Sequence, residues 1–180
     1  RGVIHRDLKP ANLLLTFGSR DADEIRLLDY GLARSAAESC RLTGDGAVLG
    51  TPAYMAPEQV CGGACDGRVD LYALGVIFYE LLMGQPPYGH SGSGYGYMIQ
   101  HLRAEPTPFR VANPRVRVPE PLEGVIFTAL KKDPQERFHT AAAMHNALMH
   151  AAGLLGSDQE LATATVPDGW SRSELVGAIP

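Results

Sequence analysis

Between His5 and Asn12 the chain reads His5-Arg6-Asp7-Leu8-Lys9-Pro10-Ala11-Asn12, which sets a carboxylate, a primary amine and a side-chain amide in one short loop. A carboxylate can orient a hydroxyl and take its proton, an ammonium can hold a phosphate, and an amide oxygen can bind a metal. Farther on, Asp29 in Asp29-Tyr30-Gly31 supplies a second carboxylate. If it converges on Asn12, the pair offers the hard oxygen donors that Mg2+ prefers. Taken alone, Asp7 and Asp29 read as surface carboxylates, since charged side chains mostly face water. Their chemistry depends on what positions them.

Two short apolar runs, Leu13-Leu14-Leu15 and Ile25-Arg26-Leu27-Leu28, flank a polar, turn-rich connection at 18–23. They read as a two-stranded ribbon that returns Asp29 to the neighbourhood of Asn12. Residues 34–50 are rich in Ser, Ala, Gly and Thr without a sustained period and read as a surface loop. Ser39 and Thr43 in it are either ordinary polar loop residues or phosphorylation sites, whose phosphate Arg6 would meet with charge-assisted hydrogen bonds. Residues 69–83 are apolar almost all the way round and predict a helix at the centre of a helical domain. Pro86, Pro87 and the glycines at 89, 92 and 94 interrupt the pattern. Helices are then predicted at 97–104, 121–132 and 140–152. Strands come first and helices follow, so the architecture is mainly α with a small β ribbon.

The chain has 180 residues, 45% of them hydrophobic and 20% charged, enough for one core. Residues 1–152 are assigned to the domain, and 153–180, where the periodicity fades, to a linker or tail. A formal charge of -4 supplies no positive field to gather nucleic acid. The longest apolar run, within 71–83 and interrupted by Glu80, is shorter than the roughly 20 residues that cross a bilayer. Cys40, Cys61 and Cys65 are an odd set without CxxC spacing, which suggests unpaired thiols in a reducing cytoplasm. His139, His145 and His150 lack metal-ligand spacing and read as solvated helix polarity. The opening Arg1-Gly2-Val3 does not look like a natural start.

Further along stand Gly50-Thr51-Pro52-Ala53-Tyr54-Met55-Ala56-Pro57-Glu58, Asp70-Leu71-Tyr72-Ala73-Leu74-Gly75 and Lys132-Asp133-Pro134-Gln135-Glu136-Arg137-Phe138. With the His5–Asn12 and Asp29–Gly31 segments they resemble, in order, the motifs of protein kinases. The resemblance covers residues 1 to about 152 and implies the C-terminal lobe of the kinase fold. Asp7 then resembles the catalytic aspartate that accepts or orients the substrate hydroxyl proton, and Lys9 the lysine that contacts the transferred phosphate. Asn12 and Asp29 would hold Mg2+, and Leu14 looks like the apolar floor beneath the adenine of ATP. Thr51 is similar to the threonine that hydrogen-bonds the catalytic Asp and Lys; with Lys9 it implies serine/threonine specificity. Glu58 and Arg137 look like a buried ion pair, and Asp70 like a brace for the catalytic-loop backbone.

Tyr30 stands where the family usually has phenylalanine. The Gly-rich loop, the lysine-bearing strand and the glutamate-bearing helix of the small lobe do not occur in these residues, so the N-terminal lobe is missing. The style of Lys9-Pro10-Ala11-Asn12 and Ala56-Pro57-Glu58-Gln59 resembles bacterial kinases of the eukaryotic type. The implied function is transfer of the ATP γ-phosphoryl group to Ser or Thr of protein substrates in the intact parent. Substrate choice would be set around the activation segment and the helix near Tyr97. The alternative is a non-catalytic interaction module that uses the helical lobe as a docking surface.

Overall fold

A computed structural model describes residues 3–16, 24–29 and 52–153. The expectations for Tyr30, Ser39, Cys40, Thr43 and Thr51, for the loop at 34–50 and for the tail beyond 153 lie outside these residues.

The ribbon forms as the apolar runs predict, from β1 (Leu13–Thr16) and β2 (Glu24–Leu27), antiparallel with Leu13 opposite Leu27 and Thr16 opposite Glu24. Its far end is fastened by the Thr16 hydroxyl, which donates to the Glu24 carbonyl at 3.0 Å. At the near end the Leu28 N–H donates to the Asn12 carbonyl at 2.9 Å. The ladder therefore outlasts the strands by one pair and brings Asp29 back to the His5–Asn12 loop, as the two runs require. Both faces of the ribbon are open: Leu14, Leu15, Ile25, Leu27 and Leu28 are all exposed.

Among the described residues six α-helices follow: α1 (Pro57–Val60), α2 (Arg68–Met83), α3 (Gly94–Arg103), α4 (Phe109–Ala112), α5 (Glu120–Ala129) and α6 (Ala141–Gly153). The central one is α2. Its Val69, Tyr72, Val76, Tyr79 and Met83 share a cluster with Ala56, Phe109, Ile126 and Leu130. Ala73 and Ile77 on another side hold Leu8 of the His5–Asn12 loop, and Leu71 on a third meets Ala129 and Met144. Burial is not complete, however, since Leu81 near the C-terminal end is 62% exposed. The helix stops at Gly84, whose φ of 71° lets its N–H turn back to the Glu80 carbonyl. A Cβ on Gly75 would stand 2.9 Å from the Ala129 Cβ, so α5 packs on α2 closer than a side chain permits.

Two helix boundaries differ by three residues from the periodicity, each for a local reason. α3 starts at Gly94 rather than 97 because the Ser93 hydroxyl accepts from the Gly96 N–H at 3.0 Å and caps the first turn. α5 ends at Ala129 rather than 132, and the chain then turns so that Lys131 and Lys132 can offer their carbonyls to Arg137. α4 was not foreseen; four residues carry no readable period, and the helix is held by Phe109, which is buried against Tyr79 with ring centroids 5.1 Å apart. Among the described residues no helix is long and apolar enough to cross a membrane.

Candidate active site

The site rests on a loop whose backbone is gripped from below. Asp70, in the first turn of α2, accepts the His5 N–H at 2.8 Å on Oδ2 and the Arg6 N–H at 2.9 Å on Oδ1. Both oxygens of one carboxylate thus fix two successive peptide groups, the bracing role expected of Asp70. Arg6 needs the brace because its φ is 65°, a left-handed conformation that a side chain makes unfavourable. The Arg6 carbonyl is held in turn by the Gln59 amide at 3.0 Å, while the other end of that amide accepts the Ala56 N–H at 3.0 Å.

From this platform Asp7 meets Lys9, whose Nζ donates to Oδ2 at 2.9 Å. A 3-10 turn at Pro10–Asn12, opened by a proline preset for helical φ, folds Asn12 back beneath the aspartate. Asn12 Nδ2 donates to the Asp7 carbonyl at 2.7 Å and lies 3.4 Å from its Oδ2. Asn12 is buried, whereas the Asp7 and Lys9 side chains keep 32% and 21% of their surface exposed, so the pair can meet a solvent-borne reactant. The His5 ring is buried and its Nε2 donates to the Leu28 carbonyl at 3.0 Å, since a carbonyl can only accept. That bond ties the loop to the residue before Asp29. Asp29 itself is exposed, with φ of 51°. Leu14 lies on β1 with 45% of its surface open.

The segment after Thr51 closes over the loop. A 3-10 turn at Pro52–Tyr54 packs Tyr54 beside Leu8, Ala73 and Ile77. The Tyr54 hydroxyl donates to Glu80 Oε2 of α2 at 2.8 Å. Burial and the neighbouring carboxylate push the Tyr54 phenol well up, and burial raises the Glu80 carboxyl despite the hydrogen bond that opposes it. The other anchor of this segment is the expected ion pair. Arg137 donates from Nη1 and Nη2 to the two Glu58 oxygens, each at 2.8 Å, and gives its other protons to the carbonyls of Lys131, Arg68 and Lys132. Its side chain has no exposed surface and its Cζ lies 4.8 Å from the centre of the Tyr72 ring.

Sequence reasoning named Asp7, Lys9, Asn12, Asp29 and Leu14, and the structure gathers the first three within hydrogen-bond reach of one another. It missed the work of Gln59, Tyr54, Glu80 and His101. Gln59 and Tyr54 stood inside quoted motifs, and Glu80 was visible as the one charge within the apolar run at 71–83. Nothing in the pattern around His101, whose Nε2 lies 2.8 Å from the Ala53 carbonyl, marked it.

The family model described as the protein kinase domain matches residues 1–149. A serine/threonine-protein kinase of Myxococcus xanthus, Pkn1, is 44% identical over 151 residues, which are 84% of this chain and 21% of that protein. PknB of Mycobacterium leprae, also named a serine/threonine-protein kinase, is 40% identical over 79% of this chain and 22% of its own length. Among solved structures, the kinase domain of Mycobacterium tuberculosis PknI, as a cysteine-to-alanine mutant, aligns with a TM-score of 0.56 at 30% identity, over 84% of this chain and 47% of that one. The chain thus spans about a fifth of the length of these relatives. The helices and small two-stranded ribbon accord with that fold, and the chain belongs to the protein kinase family.

Proposed function

We propose that residues 1–152 are the C-terminal, substrate-binding lobe of a serine/threonine protein kinase, with 153–180 as a linker or tail, and that the intact enzyme transfers the γ-phosphoryl group of ATP to Ser or Thr of protein substrates. The observation that carries this reading is the Asp7 carboxylate, half-exposed, paired with Lys9 at 2.9 Å and mounted on a backbone that Asp70 fixes. A carboxylate so placed accepts a hydrogen bond from an incoming hydroxyl and turns its oxygen toward the phosphorus. Lys9, already beside Asp7, holds a γ-phosphate oxygen and keeps the two reactants together, which accounts for much of the rate in this chemistry. Thr51 would bridge Asp7 and Lys9 from the activation segment.

Protein kinases use ATP with Mg2+. The donor set here fits such an ion: Asn12 spends its N–H on the Asp7 carbonyl, which leaves an amide oxygen, and Asp29 adds an exposed carboxylate at the ribbon end that the Asn12–Leu28 bond secures. Asn12 and Asp29 would hold the cation, which when bound neutralises charge on the phosphates. Leu14 would form the floor under adenine, and the small lobe is the partner that would cover ATP from the other side. The unpaired Cys61 and Cys65 thiols support a reducing, cytoplasmic setting.

Retention of the Asp7–Lys9–Asn12 geometry favours a catalytic parent over a docking module, because a pure interaction surface has no use for it. The test is phosphoryl transfer from labelled ATP to a generic basic protein by the kinase in which this chain is joined to its small lobe. Mg2+-dependent transfer that disappears in Asp7→Asn is expected; equal transfer by the variant overturns the assignment.

A further inference from the structure

His101 of α3 is 1% exposed, and both of its ring nitrogens are engaged. Nε2 lies 2.8 Å from the Ala53 carbonyl, which can only accept, so Nε2 carries the proton and Nδ1 is an acceptor. Nδ1 lies 2.8 Å from the Tyr72 hydroxyl, which must therefore donate to it. The Tyr72 oxygen is 2.8 Å from the Tyr88 hydroxyl and takes that proton in turn. A one-way chain of donors thus runs from Tyr88 through Tyr72 and His101 to a single acceptor in the Pro52–Tyr54 turn. Burial, with the Lys132 ammonium nearby, holds the His101 ring down to about 4, so the chain keeps this direction at neutral pH.

The same turn is tied toward the catalytic loop from its other sides. Tyr54 donates to Glu80 at 2.8 Å and packs with Leu8, and Gln59, a few residues on, holds the Arg6 carbonyl at 3.0 Å. Pro52, Ala53 and Tyr54 are all only partly buried, so the turn has an outer face beside the Asp7 loop on which a peptide can lie.

We propose that His101 is a positioning residue for the protein substrate: by donating to the Ala53 carbonyl it fixes the Pro52–Tyr54 turn relative to Asp7, and so sets how tightly a substrate peptide is held there. This rests on the kinase reading above. It concerns peptide binding and leaves the ATP side of the reaction alone.

Steady-state kinetics of the intact kinase test the consequence, with His101→Phe keeping the ring and removing the donor, and His101→Gln offering an amide N–H at a similar reach. The expected result for His101→Phe is a rise of about tenfold in KM for the protein substrate, with KM for ATP changed less than about twofold. His101→Gln should recover most of that loss. Parallel rises in both KM values, or a Gln variant no better than Phe, mean a structural role only and overturn the proposal. NMR of the kinase in which this chain is joined to its small lobe tests the device without any activity. The His101 imidazole should show the Nε2–H tautomer with no titration near pH 6.5. The Met55 amide, bonded to the Pro52 carbonyl at 3.3 Å, should exchange faster in His101→Gln than in the wild type, and faster still in His101→Phe if that variant folds. An Nδ1–H tautomer, or unchanged Met55 exchange, overturns the relay. If the wild-type enzyme fails to transfer phosphate, the kinase reading falls by itself, while the tautomer and exchange results still decide whether His101 holds the turn.

Discussion

Asp7 holds its place through hydrogen bonds to Lys9 and Asn12, and little of the core leans on its side chain. Asp7→Asn in the intact kinase should therefore lower kcat by about 10^2 to 10^4, the usual range for a positioned acid or base, with the melting temperature nearly unchanged. His101 makes the opposite case, a residue whose protonation bears on stability. Its ring is lowered from 6.5 to about 4 by burial first, with the Ala53 hydrogen bond opposing and Lys132 adding to the fall. Below pH 6.5 the unfolded chain takes up a proton that the folded chain refuses, so stability present above pH 6.5 is lost as the pH drops toward 4. The loss amounts to about 3 kcal/mol. Denaturant titrations at pH 7 and pH 4.5 should show the wild type losing more stability than His101→Gln. Equal losses would mean that the ring titrates as if exposed.

At the scale of elements, two contacts hold the segment around α1 and the central helix in place. Arg137 satisfies all its donors at once, on Glu58 and three carbonyls at the ends of α2 and α5. Arg137→Ala would strand Glu58 and three acceptors together, a loss of roughly 3 to 5 kcal/mol by analogy with broken buried pairs. A melting temperature within a degree of wild type would reject that role for the pair. The α2–α5 contact has a different weakness, steric rather than electrostatic. Gly75→Ala places a methyl 2.9 Å from Ala129 and 3.3 Å from Leu130, so the helices must separate and stability should fall by about 1 to 3 kcal/mol. Pairing Gly75→Ala with Ala129→Gly should restore much of the loss, because the second change removes the atom that is struck.

For the molecule as a whole, the ribbon is the exposed flank. Leu14, Leu15, Ile25, Leu27 and Leu28 keep between 41% and 66% of their surface open, and among the described residues the sheet has only two strands, each with one unpaired edge. Apolar surface beside free strand edges promotes association. The 180-residue chain by itself should bind an apolar-surface dye and scatter as more than a monomer. Joining it to a small lobe should quench both signals, and a monodisperse, dye-silent chain would show that the ribbon needs no cover. The same chain alone should transfer phosphate negligibly, since it lacks the segments that the family uses to cover ATP.

The features legible in the amino-acid order were those encoded locally. Period and composition specified the ribbon, the central helix and α6 to within a residue or so, and short ordered motifs pointed to the Asp7, Lys9 and Asn12 side chains that meet in the structure and to the Glu58–Arg137 pair. A motif survives in one dimension because its residues serve the same small volume and are spaced by a fixed turn. What the chain order could not express was any partnership across elements without a motif of its own: the Asp70 grip on Arg6, the Tyr54–Glu80 bond and the His101–Ala53 contact, whose members lie 64, 26 and 48 positions apart. The family resemblance suggested the first of these, but its two-pronged geometry, and the other two contacts altogether, depend on how α2 and α3 are packed against the turn. The boundaries of α3 and α5 were set by a serine cap and by the carbonyls that Arg137 requires, both stronger locally than a periodic pattern. Hydrophobic spacing says which side of a helix is buried; only the packed tertiary structure decides which polar group it is buried against.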